Sequence, residues 1–312
     1  MFNFSGELDA MHPSLRPPPQ HSLHTCCYQH LRFRAVVDWI AIRISSQRSS
    51  NFDTVRSRTG ASHVTAVDEG PGRAATSFIV KFQDPTSWAD VDQRLAKFTH
   101  DHPLSDPPVV HAIEIALDAY SRSGDRNELV EMTARFYKFA TCLVSRNCRV
   151  FRWTGEVQEI ASYPWLTRRL IEDFNVGVGH RDRDDLYQHM YVKDTDTRNG
   201  ERLQLPVDQR RARTELRIQG QEARPLSEWK ARPLTRLAKF FRFRTLKSKL
   251  PPYVRAGAEH VDQIGERRER PRAGRGKRLY SKATCADVIL NALAYDALRE
   301  LDHRMRSLVI RR

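Results

Sequence analysis

Alternating and clustered apolar residues predict a series of β-strands. Residues 31–45 are dense in β-branched and aromatic side chains, as are the shorter segments 77–82 and 109–120. Such composition is typical of strands. Residues 149–153 and 213–219 predict two further strands. Residues 174–179 and 186–193 predict a hairpin whose polar turn covers residues 180–185.

Apolar residues at helical spacing predict three helices between and after these strands. The first begins after Ser87, which is suited to cap a helix, and the second begins after Asp125. The third begins near Ala286 and carries an apolar stripe over residues 290–305, suited either to core packing or to a homodimer contact. The order of elements predicts an α+β fold, with a mostly antiparallel sheet and helices packed on one face.

The two ends of the chain and one internal segment lack a clear apolar face. Residues 1–30 contain a proline cluster and predict a flexible leader. Residues 266–280 combine charge with glycine and proline and predict a solvated linker. Residues 281–312 then form the C-terminal helix, and residues 223–265 form a basic, aromatic-rich extension ahead of the linker.

The net charge of the chain predicts a polyanionic partner. The chain has 312 residues, of which 40% are hydrophobic, and a net charge of +14. Nucleic acid and an anionic membrane surface both fit such an excess. The sequence has no apolar run of the ~20 residues that a membrane span requires. The N-terminus lacks the apolar core of a signal peptide, so we expect a cytoplasmic protein without membrane insertion. The five cysteines fit no zinc motif and predict ordinary reduced thiols.

The strand at residues 186–193 carries chemistry on one face. Side chains alternate along a strand, so Tyr187, His189, Tyr191 and Lys193 share a face opposite the apolar residues. Two phenols, an imidazole and an ammonium in one row predict a functional surface rather than a merely solvated one.

Two other strands each contribute a carboxylate, and together they predict a divalent-metal site. Glu114 lies between two alanines, and Glu215 lies between Arg213 and Arg217. Carboxylate oxygens with a histidine, here His189, suit a hard divalent ion. Two alternatives stay open: Glu215 as a salt-bridge partner of the arginines, and His189 as a hydrogen-bonded polar residue. Asp118 shares the face of Glu114 but lies four residues away, about 13 Å along a straight strand. We therefore rank Asp118 last among the candidate metal ligands, with a supporting role or the end of the strand as its alternatives. His111 falls on the apolar face and is expected to be buried.

Four segments in a fixed order carry a family resemblance. They are Asp38-Trp39, residues 114–118 (EIALD), residues 179–181 with 189–193 (GHR and HMYVK), and residues 213–216 (RTEL). Together they resemble the replication initiation factor family of rolling-circle plasmids and filamentous phages, over roughly residues 31–220. His189 stands where that family usually has arginine, Glu114 stands for aspartate, and the hairpin is one residue longer.

The resemblance implies a function and assigns the roles. It implies a catalytic replication-initiator domain at residues 31–222 that nicks one origin strand, using Mg²⁺ or Mn²⁺. Tyr191 is the implied nucleophile, leaving a 5′-phosphotyrosine and a 3′-OH that primes synthesis before the displaced strand is rejoined. Lys193 would assist Tyr191, and Tyr187 is the alternative nucleophile. Origin DNA, double- and single-stranded, and host helicase and polymerase are the implied partners, in the cytoplasm of a bacterial host.

The basic extension predicts contacts to origin DNA. Its segment around residues 232–242 also fits a core helix with a charged face, and such a helix can still offer cations to phosphates. The residues predicted to contact DNA are Arg213, Arg232, Arg236, Lys239 and Arg242. Two rival functions remain open: a non-catalytic DNA-binding protein or repressor, and a protein that binds RNA or a membrane surface.

Overall fold

The computed structural model describes residues 28–141, 143–145, 147–152, 154–198, 201–261, 263–264 and 282–307. The predicted linker, Cys142 and most of the predicted leader lie outside these residues. The strands are β1 (Leu31–Ser50), β2 (His63–Ala66), β3 (Ala75–Gln83), β4 (Val109–Ser121), β5 (Cys148–Phe151), β6 (Val157–Gln158), β7 (Asn175–Val178), β8 (Leu186–Lys193), β9 (Thr195–Arg198), β10 (Glu201–Gln204), β11 (Arg211–Pro225), β12 (Arg244–Leu246) and β13 (Thr284–Ala286).

Seven α-helices and four short 3₁₀ helices connect these strands within the described residues. The α-helices are α1 (Phe52–Thr59), α2 (Trp88–Thr99), α3 (Arg126–Lys138), α4 (Tyr163–Ile171), α5 (Leu226–Ala231), α6 (Pro252–His260) and α7 (Val288–Arg306). The 3₁₀ helices cover Tyr28–His30, Pro71–Arg73, Val207–Gln209 and Leu234–Phe241.

One antiparallel sheet of nine strands organises the molecule. Its strand order is β2-β3-β1-β4-β11-β8-β7-β5-β6, and every pairing in it is antiparallel. The long strands β1, β4 and β11 lie at adjacent positions in its centre, next to β8. The predicted α+β class with an antiparallel sheet is therefore confirmed.

Helices α3 and α7 cover one face of the central strands. Helix α3 contacts β4, β8 and β11, and α7 contacts β1 and β4. Ile113, Ile115 and Leu117 of β4 point into the core between sheet and helices and are fully buried. Helix α7 begins after Asp287, whose side chain accepts from the backbone N–H of Leu290. The same core holds residues from Tyr28 to Met305, so the C-terminal helix packs with the sheet rather than apart from it.

The predicted hairpin of β7 and β8 is present, with its turn at residues 180–185. Gly179 has φ +91°, and a Cβ there would lie 2.9 Å from Asp184 Oδ2. Asp184 accepts from the backbone N–H of His180 and closes the turn. This fixes the register in which Gly177 lies opposite His189.

Two irregularities interrupt the alternation of faces. The β1–β4 register shifts between Val37 and Trp39, which leaves Asp38 as an extra residue. A second shift lies at His111, which is exposed instead of buried as predicted. A β-bulge re-aims side chains locally, so strict alternation assigns the wrong face at both positions.

Several elements differ from the sequence-based prediction. Helix α3 ends at Lys138, whereas the apolar spacing of the sequence continues the predicted helix to Leu143. Helices α1 and α4 and the β9–β10 hairpin were not predicted. The leader ends earlier than predicted, because Tyr28 is buried and its hydroxyl donates a hydrogen bond to Asp287.

Among the described residues, no helix combines the length and the apolar character required to cross a bilayer.

Candidate active site

The register of four neighbouring strands assembles a polar surface on the sheet face opposite α3 and α7. Strand β11 sits between β4 and β8, and its residues from Arg211 to Ile218 each have a partner on both sides. Three rows result from this pairing: Glu114–Arg217–Tyr187, Ala116–Glu215–His189 and Asp118–Arg213–Tyr191. The predicted shared face of Tyr187, His189 and Tyr191 thus continues onto the strands that carry the carboxylates.

Three carboxylates meet near the centre of this surface. Asp38, Glu114 and Glu215 each offer one oxygen, and these oxygens lie within 4.8 Å of one another. Glu114 and Glu215 are buried, and the Asp38 side chain is 15% exposed. We call these three residues the acidic triad. They could hold a metal ion, because three hard oxygens at this spacing suit a divalent cation.

Asp38 is the member of the acidic triad that sequence analysis missed as a ligand. It was noted only as part of the Asp38-Trp39 landmark, and strict alternation would place its side chain on the face opposite Trp39. The bulge turns both side chains to the polar surface, where Asp38 accepts from Arg213 at 2.7 Å and Trp39 donates to Glu114 at 2.7 Å.

Glu114 accepts two hydrogen bonds but lies in an environment that disfavours its ionised form. It accepts from Trp39 Nε1 through one oxygen and from Arg217 Nε, at 3.1 Å, through the other. Burial raises the pKa of Glu114, and the neighbouring charge of Glu215 raises it further. A cation bound between Glu114 and Glu215 would stabilise the ionised form of Glu114.

Glu215 is instead strongly stabilised as a carboxylate. It accepts from Tyr191 Oη at 2.8 Å and from Arg213 Nη1 at 3.3 Å, and lies 3.2 Å from His189 Nδ1. Burial alone would raise the pKa of Glu215, but His189, Arg213 and Tyr191 together lower it to about 2. Glu215 is therefore ionised at neutral pH.

His189 has one nitrogen engaged and one without a partner. A carboxylate only accepts hydrogen bonds, so Nδ1 must carry the proton that faces Glu215. Nε2 is buried and has no hydrogen-bond partner. The ring stacks on Tyr191 with centroids 4.5 Å apart and on Phe151 at 5.5 Å. A carboxylate behind one nitrogen is the usual arrangement of a metal-binding histidine.

Tyr191, Tyr187 and Lys193 occupy different environments on the same strand. Burial and the charge of Glu215 raise the pKa of Tyr191 well above its ordinary value, so its hydroxyl is protonated at rest. Burial also raises the pKa of Tyr187, whose hydroxyl lies against Gly177 rather than against the acidic triad. Burial and the nearby charge of Arg213 lower the pKa of Lys193.

Asp118 and Arg213 form a buried ion pair, which corrects two predictions. Arg213 donates to both Asp118 oxygens, at 2.6 and 2.8 Å, and Asp118 also faces Arg211 at 3.2 Å. Asp118 is fully buried and lies outside the acidic triad, so its prediction as a metal ligand is wrong. Arg213 is 2% exposed, so its guanidinium cannot reach DNA in this structure.

The other predicted DNA contacts lie on the helical side of the sheet. Gln188 points away from the polar surface and donates to the backbone oxygen of Phe240 at 3.4 Å, which locates the Leu234–Phe241 helix there. Lys239 and Arg242 are exposed on this side, whereas Arg236 packs over Trp229. Arg232 is paired with Glu228. DNA bound at the acidic triad would not touch these residues without wrapping around the sheet edge.

The acidic triad is also paired with the protein's own cations. Arg217 and Arg213 neutralise Glu114 and Glu215, and Arg213 reaches Asp38 as well. A metal ion must therefore share these carboxylates with the two guanidinium groups. The three oxygen donors fit a divalent ion, and the arginines limit its affinity. His189, predicted as a further ligand, faces Glu215 through Nδ1, and its nitrogens do not join the acidic triad.

The environment of Glu215 predicts a loss of stability in acid. Its pKa in the folded chain, about 2, lies below the ordinary value of 4.5. The unfolded chain therefore binds this proton first as the pH falls. The stabilisation, on the order of 3 kcal/mol, is complete above pH 4.5 and lost progressively toward pH 2. Urea unfolding in EDTA should show Glu215→Gln less stable than wild type at pH 7, with the difference shrinking below pH 4.5.

Glu69 provides the control, because it is exposed and outside the site. Glu69→Gln should follow the wild-type pH profile. The raised pKa of Glu114 has the opposite effect on stability. The folded state binds this proton more readily than the unfolded chain and therefore gains stability as the pH falls. A difference between Glu215→Gln and wild type that grows below pH 4.5 would contradict this description of Glu215.

No protein-family model matches the chain, and no curated protein matches it. The functional interpretation therefore rests on the geometry of the polar surface and on the sequence motifs described above.

Proposed function

We propose that this chain is a DNA strand transferase that initiates rolling-circle replication by nicking one origin strand with Tyr191. The observation that carries the proposal is the 2.8 Å hydrogen bond from the Tyr191 hydroxyl to Glu215, a member of the acidic triad. A phenol suited to act as the nucleophile, a carboxylate that orients it and a candidate cation site are thus in direct contact. The family resemblance of the sequence supports the same assignment.

Tyr191 is positioned by its neighbours for an attack on phosphorus. Its ring stacks on His189, and its hydroxyl is fixed by Glu215. The side chain therefore loses little conformational entropy on reaching the reactive geometry. Attack forms a bond from the phenolic oxygen to phosphorus and breaks the bond from phosphorus to the 3′ oxygen. The phenolic proton passes to water, because Glu215, with a pKa of about 2, is too weak a base to hold it, and the 3′ oxygen takes a proton from water to become the 3′-OH.

The products account for the use of a tyrosine. The phosphotyrosine keeps the energy of the original ester, so the freed 3′-OH can later attack it and restore a continuous strand. Hydrolysis by water would lose that option. The 3′-OH is also the primer that a host polymerase would extend after a host helicase separates the strands.

Positive charge must support the reaction, because Tyr191 is protonated at rest. Lys193 lies two residues along the same strand, and its ammonium can stabilise charge on the phosphate oxygens. A divalent ion held by the acidic triad, Mg²⁺ or Mn²⁺, would polarise the scissile phosphate. Arg213 remains beside Glu215 and Asp38 and keeps both carboxylates in place.

Metal binding at the acidic triad should appear as thermal stabilisation. A ligand at 100 times its dissociation constant stabilises a folded protein by about 2.7 kcal/mol. We expect saturable stabilisation by Mn²⁺ that disappears in Asp38→Asn and persists in Asp208→Asn, which alters an exposed aspartate. Equal stabilisation of Asp38→Asn and wild type would exclude the acidic triad as the metal site.

Capture of a covalent adduct tests the proposed reaction without knowledge of the origin. Single-stranded DNA with a randomised segment and a 3′ label is incubated with the full chain and Mn²⁺, then separated under denaturing conditions. A 5′-phosphotyrosine retains the labelled 3′ portion, so label should migrate with the protein. Label that never follows the protein, from this pool or from supercoiled plasmids, would overturn the proposal.

A non-catalytic DNA-binding protein or repressor is the second candidate. It is favoured by one observation, the pairing of the carboxylates with Arg213 and Arg217, which suits a purely structural polar network. Such a protein would shift DNA in a native gel and form no adduct. Binding should be compared at one ionic strength, because phosphate contacts weaken steeply with salt.

A further inference from the structure

A cavity of about 400 Å³ opens beside Tyr191, between β8, the end of α4 and the β9–β10 hairpin. Leu170 and Phe174 give it apolar walls, and Tyr191 and Lys193 of β8 line another side. Small-molecule sites have volumes of about 300–1,000 Å³ and combine apolar walls with a few polar groups. The cavity thus has the size and lining of a site for a compound no larger than a nucleotide.

Asn175 supplies a hydrogen-bond donor that the protein leaves unused. It lines the cavity, is 4% exposed, and its Nδ2 has no hydrogen-bond partner. Val176 of β7 pairs with Met190 of β8, so the next residue along this register, Asn175, lies opposite Tyr191. A buried donor without a partner costs free energy, so its presence beside the nucleophile points to a ligand that accepts from it.

Two cations and two carboxylates line the cavity, and the cations offer a place for a phosphate near Lys193. Asp173 is paired with Arg126 at 2.6 Å, which compensates its charge. Asp196 lies 4.0 Å from Lys193. Arg202 of the hairpin lines the cavity as a second cation and donates to Thr195. An anionic group can therefore be held at this end, and an apolar ring can pack against Phe174.

We propose that the cavity is a nucleotide subsite that holds one nucleotide of the scissile strand next to the phosphate attacked by Tyr191. The Asn175 amide donates to an acceptor on the base edge, and Lys193 binds the phosphate. Asparagine is one of the side chains that read base edges by hydrogen bonds. The inference rests on the proposed function for its substrate and adds base recognition to it.

Binding of the four deoxynucleoside 5′-monophosphates to the full chain tests the subsite, with deoxyribose 5-phosphate as the probe that lacks a base. At least one nucleotide should bind more tightly than deoxyribose 5-phosphate. Asn175→Leu should weaken that nucleotide about tenfold, the loss expected for one hydrogen bond, and leave deoxyribose 5-phosphate unchanged. Lys193→Met should weaken both probes.

Thermal unfolding supplies a second signature of a ligand-binding residue. Asn175→Leu should raise the melting temperature of the free protein, because it removes an unsatisfied buried donor. The matched control is Asn127→Leu on an exposed position of α3, which should leave nucleotide binding unchanged. A structural role for Asn175 would instead give a lower melting temperature together with unchanged nucleotide affinity, and that result would overturn the inference.

The outcomes separate this inference from the proposed function. Adduct formation without nucleotide binding, or with equal binding of nucleotides and deoxyribose 5-phosphate, overturns the nucleotide subsite and keeps the nicking reaction. Nucleotide binding that depends on Asn175, with no adduct from any DNA, keeps the subsite and overturns nicking. If Asn175→Leu does not fold, the wild-type comparison of nucleotides with deoxyribose 5-phosphate still decides the question.

Discussion

Tyr191→Phe is expected to abolish covalent attachment to DNA and to lower the rate of strand cleavage by about 10³-fold or more, the scale seen when a nucleophile is removed. The aromatic ring and its stacking on His189 remain, so only the attacking oxygen and its hydrogen bond to Glu215 are lost. Quantitative adduct assays under single-turnover conditions measure this loss directly. DNA affinity should change little, because the ring still lines the cavity.

Tyr187→Phe is the matched control on the same strand. The Tyr187 hydroxyl lies against Gly177, and neither of the Glu215 oxygens accepts from it. We therefore expect adduct formation to survive within a few-fold of wild type. Adduct that persists in Tyr191→Phe and disappears in Tyr187→Phe would transfer the nucleophile to Tyr187 and contradict the central assignment.

Arg213→Met is expected to be the most destabilising single substitution in the polar surface, at about 3–5 kcal/mol. Methionine keeps much of the stem but leaves the fully buried Asp118 without its two-pronged partner. Asp38 and Glu215 lose a donor as well. Urea unfolding at neutral pH measures this cost.

Two further variants separate a buried ion pair from a DNA contact. Adding Asp118→Asn to Arg213→Met should recover part of the lost stability, because the isolated buried charge is removed. Arg242→Met, on the exposed helical side, should unfold like wild type. If Arg213→Met matched wild type in stability and lost only DNA binding, Arg213 would be a DNA contact and the buried network described above would be wrong.

The sequence correctly predicted which side chains of the neighbouring strands share a face of the sheet. Alternation on residues 186–193 and 213–219 correctly placed Tyr187, His189 and Tyr191 together, and Glu215 beside both arginines. Those segments are regular strands, where side chains point to opposite faces at every step. The adjacency of β4, β11 and β8 then followed the expectation that these polar faces stack side by side.

The bulges lay beyond what alternation can predict. One inserted residue reverses the face of its neighbours, and nothing in the local composition marks the insertion. Asp38 was consequently missed as a member of the acidic triad, and His111 was placed in the core. The adjacent Asp-Trp pair was the available signal, since both residues contribute polar atoms to the same surface.

Net charge predicted cations in number but not in position. Of the residues predicted to contact DNA, Arg213 balances buried carboxylates, and Lys239 and Arg242 lie on the side of the sheet opposite Tyr191. A sum of charges contains no information on which arginines are consumed by internal pairing. Asn175 carried no motif at all, and only its burial without a partner for Nδ2 distinguishes it.

Mapping of the DNA-linked residue tests the central claim most directly, namely that the Tyr191 hydroxyl beside the acidic triad is the nucleophile. Trypsin cleaves after Arg183 and Lys193, so residues 184–193 form one peptide that contains both tyrosines. Fragment ions from the nuclease-trimmed adduct must therefore locate the nucleotide within it. The account expects the nucleotide mass on Tyr191, between Met190 and Val192. A nucleotide on Tyr187, or on a residue outside this peptide, would contradict it.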